Sequence, residues 1–502
     1  METTAQPERN VPPSPAGLPE VASARRLRPA TVALLVVGAV ASFQLAFQFT
    51  PLCWLVLAYL GCLYELRRVA TARQAFYGGM VVGLGVFVPQ MGFMWTIFGP
   101  AAIPLWLILA FFHGVFLLLL HRVEVRLGAC WAMWLAPVLW CGIEYFRSEV
   151  WWLRFTWFTA GTVFDPPVGM ALCVGVYGAG LIAFQCAIFL RRLVSRTFSK
   201  ADGMLLAAWA LLIIVLPAFA VASNARQRSL HVAGVQLEFP GVPEVVTALD
   251  RVAKAHPEAE LLMLSEYTFD GPVPDAVKIW CKRNDKWLVA GGKDVLQPGG
   301  SPGKPLLGPP TAGVATERYY NTAFVISTSG EVVFTQAKSR PIQFFKDGEP
   351  AREQRVWDSP WGKLGIAICY DVSYRRVMDE LIRQGAGALL IPTMDVEPWG
   401  EHEHRLNARM ARIRAAEYGV PIFRVASSGI SQLINTLGDE QSTTSYPGPG
   451  EIISGELRLR VRGGTVPLDR WLAPFCTVVT GGVLTALIVF AWRDRASWKE
   501  ST

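Results

Sequence analysis

Charge is scarce in this chain, and acids are almost missing from one half of it. Only 17% of the 502 residues are Asp, Glu, Lys or Arg, against about a quarter in ordinary soluble domains. The deficit falls on residues 29–223, whereas residues 228–460 have the composition of a soluble domain. A single water-soluble body is thereby excluded. Cysteine is sparse too. Seven of the nine (Cys53, Cys62, Cys130, Cys141, Cys173, Cys186 and Cys476) fall in apolar runs, where cysteine behaves as a small hydrophobe. Cys281 and Cys369 alone belong to the soluble part. No disulfide framework and no zinc-ligand spacing is present, so no metal is expected. The first residues, Met1 to about Pro29, have no apolar run and are rich in Pro, Ala, Glu and Arg. They are not a signal peptide, and residues 1–28 read as a disordered cytoplasmic tail. The net charge of +7 comes from Lys and Arg lying mostly between apolar runs. That is the pattern of membrane topology signals rather than of a nucleic-acid-binding face.

What the chain does have is apolar length. A membrane-crossing helix needs about 20 largely apolar residues. Eight stretches qualify, approximately 30–49, 51–66, 75–98, 101–120, 129–146, 167–190, 203–223 and 472–492. The loops test the count. Arg25, Arg26 and Arg28 precede the first; Arg67, Arg68 and Arg73 follow the second; Arg122 and Arg126 follow the fourth. Arg191, Arg192, Arg196 and Lys200 follow the sixth, and Arg493, Arg495 and Lys499 follow the last. All fall on one side, which the positive-inside rule makes the cytoplasm. The expected layout is a seven-helix domain over 29–223, a soluble domain over 228–460 outside the cytoplasmic face, a returning helix over 471–492, and a cytoplasmic tail over 493–502. Both ends of the soluble domain are then held at the bilayer. One outer loop, residues 147–166, carries Trp151, Trp152, Arg154, Trp157 and Phe158. It reads either as an interfacial aromatic belt or as a lipid platform beneath the soluble domain.

In the soluble part, strand-like and helix-like stretches alternate. Ser229–Gln236, Glu260–Ser265, Trp287–Gly292 and Lys363–Ile368 read as strands, and Tyr320–Ile326 with Glu331–Thr335 as a hairpin. Arg376–Gln384 and Asn407–Tyr418 read as helices, with Ala388–Pro392 a strand between them. The alternation predicts a layered α/β fold with covered sheet faces. Residues 298–314, dense in Pro and Gly, cannot be a helix or a central strand and are expected to be a mobile loop.

Three of these strand ends carry chemistry: Glu266, Lys338 and Cys369. Strand ends are where open α/β sheets place their sites. A thiolate is a strong nucleophile, but a free thiol is mostly protonated at neutral pH. A carboxylate beside it can take the proton. A lysine can stabilise both the thiolate and the oxyanion of an acyl-transfer intermediate, and losing one such donor costs about 3–4 kcal/mol in the barrier. The backbone N–H of Tyr370 is a second possible donor. Taken singly, each residue also fits a structural role: a core thiol, a strand-end lysine, a capping carboxylate.

Taken together and in order, the motifs resemble the nitrilase or carbon–nitrogen hydrolase superfamily. The resemblance runs from about Val232 to Gly438. It rests on Leu264-Ser265-Glu266, on Tyr320-Asn321-Thr322-Ala323 followed by Gly330 and Lys338, and on Gly365-Ile366-Ala367-Ile368-Cys369-Tyr370-Asp371. His404, Arg412, Arg414-Ala415-Ala416-Glu417, Gly419-Val420-Pro421 and Ser427–Ser431 continue it. The resemblance implies an αββα sandwich with Glu266 as base, Lys338 stabilising the intermediate and Cys369 forming a thioester. With seven helices before this domain and one after, and with Arg154-Phe155-Thr156-Trp157 in the outer loop, the chain is similar to the apolipoprotein N-acyltransferases. That likeness implies a phospholipid acyl donor, a lipoprotein diacylglyceryl-cysteine acceptor, no cofactor, and a place in the bacterial inner membrane with the catalytic domain on the periplasmic side. Tyr370, Glu349, Trp399 and Trp157 are the expected supporting residues.

The chain departs from the family where a Pro-Phe-Gly-Glu segment usually follows the lysine. It reads Pro341-Ile342-Gln343-Phe344-Phe345-Lys346-Asp347-Gly348-Glu349, which puts the supporting Glu349 about three residues late. Asp371 stands where a Glu is usual, and Met394-Asp395 with Trp399-Gly400 replaces an Asn-Asp-x-Trp-Phe-Gly-like segment. These changes bear on the acceptor. A membrane-anchored amidase or acyltransferase with another amine or water as acceptor is the first alternative, and a non-catalytic membrane scaffold the second.

Overall fold

The computed structural model describes residues 27–164, 171–222, 227–296, 318–343 and 345–500. The 298–314 stretch and nearly all of the expected N-terminal tail lie outside them. In apolar surroundings a helix satisfies every backbone group locally, and the described residues of the apolar half are mostly helical. It runs α1 (Pro29–Gln48), a 3-10 turn (Thr50–Leu55) into α2 (Val56–Leu66), α3 (Ala72–Gln90), α4 (Phe93–Phe98), α5 (Ala102–Leu127), α6 (Ala129–Tyr145), α7 (Ala171–Val194) and α8 (Lys200–Ala222). Among the described residues, five helices are long and apolar enough to cross a bilayer: Pro29–Gln48, Phe93–Leu127, Ala129–Val150, Val174–Val194 and Asp469–Asp494. Thr50–Leu66 is apolar but shorter. The stretch expected as one helix over 75–98 is broken after Gln90. Pro89 inside α3 lacks an N–H and crowds the preceding turn, so α4 starts anew and leads into α5. Small residues bring α3 and α5 together. A Cβ on Gly79 would stand 2.4 Å from the His113 carbonyl oxygen, and one on Gly83 2.6 Å from the Ala110 Cα. This is the small-residue contact of membrane helix pairs.

The soluble half continues β1 (Gln227–Val235), α9 (Val242–Ala255), β2 (Leu261–Met263), α10 (Asp275–Asn284), β3 (Trp287–Val295), β4 (Tyr319–Ile326), β5 (Val332–Ala337), β6 (Val356–Ser359) and β7 (Gly362–Ile366). Then come α11 (Arg375–Arg383), β8 (Ala388–Thr393), α12 (Glu401–Tyr418), β9 (Ile422–Ala426), β10 (Gln432–Ile434), β11 (Glu440–Thr443), β12 (Ile452–Arg460) and α13 (Asp469–Glu500). Two six-stranded sheets form, ordered β12-β1-β2-β3-β4-β5 and β11-β10-β9-β8-β7-β6. Each has a parallel centre, β1-β2-β3 in one and β7-β8-β9 in the other. Alternate side chains of each strand point to opposite faces. Val232, Met263 and Val289 of the first sheet therefore meet Ile366, Leu390 and Phe423 of the second. The outer face of the first sheet is covered by α9 and α10 through Val245, Leu249, Val277 and Trp280. Leu389, Ile391 and Ile422 of the second sheet pack under Met378, Leu381, Met410 and Ile413 of α11 and α12. The architecture is thus the αββα sandwich the resemblance implied, joined to a bundle of apolar helices.

The two halves share one apolar core, because the cluster under α11 and α12 runs on into the helix bundle. A buried polar joint fixes their registry. Gly175 has φ 73° and breaks α7, so a fresh helix N-terminus begins after it. Its free N–H groups donate to carboxylates from beyond the bundle's first helices: Val176 to Glu417 of α12 at 3.1 Å and Tyr177 to Asp469 at the start of α13 at 3.1 Å. Negative charge at a helix N-terminus is stabilising. Arg414 pairs with Glu417, Arg470 bridges Asp379 and Asp469, and Arg375 donates to the Tyr145 hydroxyl at 3.0 Å.

Candidate active site

Each of the three chemical residues follows the end of a strand, Glu266 and Cys369 after strands with buried ends and Lys338 after the edge strand β5. Glu266 follows β2, and the next residue, Tyr267, is held at φ 53°. That turn lies against β3, where a Cβ on Gly291 would be 2.6 Å from the Glu266 Cα, so only glycine fits there. Lys338 follows β5 and is tied back to β4 by its N–H to the Asn321 carbonyl at 2.7 Å. Cys369 follows β7 at φ 49°. A left-handed conformation costs a residue with a Cβ roughly 1–2 kcal/mol, and such strain clusters at functional sites. Here it lifts the thiol out of the strand direction at the turn into α11.

The structure brings all three together in one buried pocket. Lys338 Nζ lies 2.9 Å from Glu266 Oε1 and 2.8 Å from Asp347 Oδ2, and Glu266, Lys338 and Cys369 are each no more than 3% exposed. Asn321 Nδ2 donates to both acids, at 2.6 Å to Glu266 and 2.9 Å to Asp347. Met394 links Glu266 to the thiol: its N–H donates to Glu266 Oε2 at 2.8 Å, and its carbonyl lies 3.7 Å from Cys369 Sγ. Asp371 locks the cysteine turn to the lysine segment by accepting from the backbone N–H groups of Ser339 (3.0 Å) and Arg340 (2.7 Å).

Charges follow from this geometry. Burial raises the Glu266 carboxyl above the ordinary range, Lys338 opposes that, and Asp347 adds to it. Burial alone would lower Lys338, but Asp347 and Glu266 outweigh it and hold the ammonium charged. Burial, reinforced by Glu266 and only partly offset by Lys338, pushes the Cys369 thiol well up. The Cys369 thiol is therefore neutral at rest, in the same pocket as a carboxyl of raised basicity. Proton transfer from one to the other leaves the net charge of the pocket unchanged. Burial also raises Asp371, to about 6.

The expected supporting residues fare differently. Trp157 is buried, donates its indole N–H to Ser373 at 3.0 Å and meets the Tyr370 ring edge-on at 5.7 Å. Tyr370 and Trp399 line the same cavity as Cys369. Glu349 does not reach the lysine. It points outward and pairs with Arg318 at 2.9 Å, both side chains being more than a third exposed. Gly348, at φ 81°, turns the chain there, and the acid on Lys338 is Asp347. Asp347 also accepts from the Tyr267 hydroxyl at 2.9 Å and the Ile342 N–H at 2.7 Å. Asp347 and Asn321 are the two site residues that residue-by-residue reading did not single out.

The cavity onto which Cys369 opens is apolar. Met91, Ile97, Leu105 and Phe112 of the helix bundle line it, together with Trp151, Phe155 and Trp157 of the aromatic loop and Phe345 and Trp399 of the soluble half. In that loop Trp157 and Phe158 are buried, whereas Trp152 is 58% exposed. Among the described residues one grouping has metal-ligand geometry: Asp395, Glu403 and His404, with donor atoms within 4.8 Å of one another. Arg424 already pairs with Asp395, and Asn407 donates to it at 2.7 Å. A second cation would have to displace that guanidinium.

Two family models match the chain, the apolipoprotein N-acyltransferase N-terminal domain over residues 33–189 and the carbon-nitrogen hydrolase over residues 213–460. The apolipoprotein N-acyltransferase of Geobacter metallireducens is 22% identical over 468 residues, covering 82% of this chain and 85% of that protein. That of Brucella suis biovar 1 is 31% identical over 150 residues, covering 24% of this chain and 27% of that one. The deaminated glutathione amidase of Dictyostelium discoideum is 27% identical over 186 residues, covering 34% and 59%. The chain belongs to the apolipoprotein N-acyltransferase family, with that family's N-terminal membrane domain joined to a carbon–nitrogen hydrolase domain.

Proposed function

We propose that this protein moves an acyl chain from a phospholipid to the α-amino group of a lipoprotein's diacylglyceryl-cysteine, through a thioester on Cys369. The observation that carries this reading is the position of a buried Glu–Lys–Cys constellation at an apolar cavity walled by α4 and α5 of the helix bundle. A soluble amidase has no use for such a wall, while an acyl chain has. In this reading the bundle lies in the bacterial inner membrane with the sandwich on the periplasmic side, a topology that the basic loops support through the positive-inside rule.

Glu266 takes the Cys369 proton as sulfur attacks the ester carbonyl. The oxyanion is held by Lys338 and the Tyr370 N–H. The C–O bond breaks, Glu266 returns the proton to the leaving alkoxide, and lysophospholipid departs. The amine then attacks the thioester, Glu266 accepts a proton from the nitrogen, and the C–S bond breaks. The proton returns to sulfur and an amide remains. Asp347 keeps Lys338 charged throughout, and Trp157, Tyr370 and Trp399 shape the cavity wall.

Intact-mass measurement on the full-length protein tests this. Incubation with phospholipid should add the mass of one acyl chain, removable by hydroxylamine, and a diacylglyceryl-cysteine peptide should then discharge it as N-acyl peptide. Release of the chain as free fatty acid with no transfer to the peptide would instead identify a hydrolase. The loop geometry gives a second expectation. Asp347→Asn should slow thioester formation roughly 10²-fold, because it loosens the oxyanion-holding cation. Glu349→Gln should stay within about twofold of wild type, as an exposed ion pair is worth only about 0–1 kcal/mol. Single-turnover rates of acyl-adduct formation separate the two.

A further inference from the structure

Beside the thiol, the same cavity is walled by Tyr374; Arg340 lies against this ring, and Arg154 and Arg376, from two further segments, stand near enough that Arg154 feels both arginines and Tyr374 electrostatically. Arg154 comes from the aromatic loop, which holds it at φ 42°. Arg340 follows Lys338 by two residues, and its guanidinium carbon lies 5.9 Å from the Tyr374 ring centre. Arg376 sits in the first turn of α11, exposed to solvent. The segments are cross-tied. The Arg340 N–H is held by Asp371, Gln343 donates to the Trp152 carbonyl at 2.9 Å, and Trp157 donates to Ser373.

The grouping is unfavourable by itself. Burial, and after it the charges of Arg340 and Arg376, lower the proton affinity of Arg154. Among the described residues none of the three has a carboxylate within ion-pair distance, and the Arg154 Nε is buried without a hydrogen-bond partner. Glu149, the acid that acts on Arg154, is already engaged by the Tyr177 hydroxyl and the Arg375 N–H. Like charges held together without a partner mark a place for an anion. Planar guanidinium groups suit phosphate oxygens, which they can grip two bonds at a time.

We propose that Arg154, Arg340 and Arg376 form a cradle for the phosphodiester of the acyl donor, which sets the glycerol ester beside Cys369. This inference rests on the phospholipid reading and adds to it the group by which the donor is recognised. The acceptor, a diacylglyceryl thioether, carries no phosphate, so the cradle serves the first half-reaction alone.

The test uses the full-length Cys369→Ala protein in detergent, which cannot turn over, and native mass spectrometry titration. Phosphatidylglycerol should bind about tenfold or more tighter than diacylglycerol with the same chains, as expected for charge-assisted contacts worth 1.4 kcal/mol or more. Adding Arg154→Ala, Arg340→Ala and Arg376→Ala should bring that ratio to about one. Replacing the exposed Arg405, Arg355 and Arg458 instead should leave it in place. Should the triple variant fail to fold, Arg376→Ala alone, at an exposed position, should still lower the ratio about threefold. A ratio unchanged in these variants would overturn the cradle. So would inorganic phosphate binding as tightly as the lipid, which would assign a free-anion site. Because the readout needs no thiol, failure of the thioester chemistry and failure of the cradle show up in different measurements.

Discussion

Full-length protein carrying Cys369→Ala is expected to show no hydroxylamine-labile acyl adduct and no acyl transfer, while keeping its fold. The substitution removes one atom, whose polar contact is the weak 3.7 Å approach to the Met394 carbonyl. The turn itself is held by Asp371 through the backbone, so its geometry does not depend on the sulfur. Cys369→Ser is the sharper variant. It keeps size and hydrogen-bonding capacity, but the hydroxyl is a much weaker acid, and Glu266 must take its proton against a larger deficit. Adduct formation should fall by roughly 10³-fold or more. Cys281 is the matched control. It is the other thiol of the soluble half, buried on α10 against the first sheet, and burial pushes it up to about 12. Cys281→Ala should cost core packing and leave the rate of adduct formation within about twofold, since among the described residues no charged partner activates that thiol. An adduct that persists in Cys369→Ala would place the nucleophile elsewhere and remove the basis for the proposed mechanism.

Much of this site is visible in the amino-acid order because strand-forming runs announce their own ends. Glu260–Ser265, Glu331–Thr335 and Lys363–Ile368 are apolar or alternating runs, and each is followed within a few residues by a side chain with chemistry, Glu266, Lys338 or Cys369. Layering is visible for the same reason: the period of two in β8 divides Leu390 from Leu389 and Ile391 between its faces. Conformation between the strands is not visible. Counting along the loop after Lys338 favours Glu349. Which acid faces the lysine depends instead on Gly348 turning the chain and on Asn321 and Tyr267 waiting on neighbouring segments. The same limit explains α12, expected from Asn407 and found from Glu401. Its first turns are rich in charge, which reads as loop, yet Glu403 and Asn407 line the cavity and His404 is fully buried. Broken helices are a third case. Pro89 and Gly175 stand inside apolar runs whose hydropathy alone predicts continuity, and the breaks make the cavity wall and the joint with the soluble half.

Lys338→Met should produce the other large effect, and in two ways that pH separates. The lysine is the one cation among the described residues bonded to both Glu266 and Asp347, two acids that already share Asn321. Removing it takes away the proposed oxyanion donor, a loss of about 10²–10³ in rate. It also leaves two buried carboxylates facing each other. Glu266, already raised by burial, then rises further and takes up a proton, so less of it is available as base. The combined loss in thioester formation should be about 10³–10⁴-fold at neutral pH. The sign is checkable. Glu266 must be deprotonated to act, so raising its pKa moves the acidic limb of the rate profile to higher pH. Stability should move the opposite way. Breaking a buried ion pair costs about 3–5 kcal/mol when the remaining charge stays unpaired. Protonation relieves it, because a carboxyl whose folded-state pKa lies above its unfolded value is stabilised as pH falls. The melting-temperature deficit of Lys338→Met against wild type should therefore shrink from pH 8 to pH 5, while its residual rate improves from pH 5 to pH 8. A deficit that is flat across this range, with an unmoved acidic limb, would mean that Lys338 serves the oxyanion alone and does not tune Glu266.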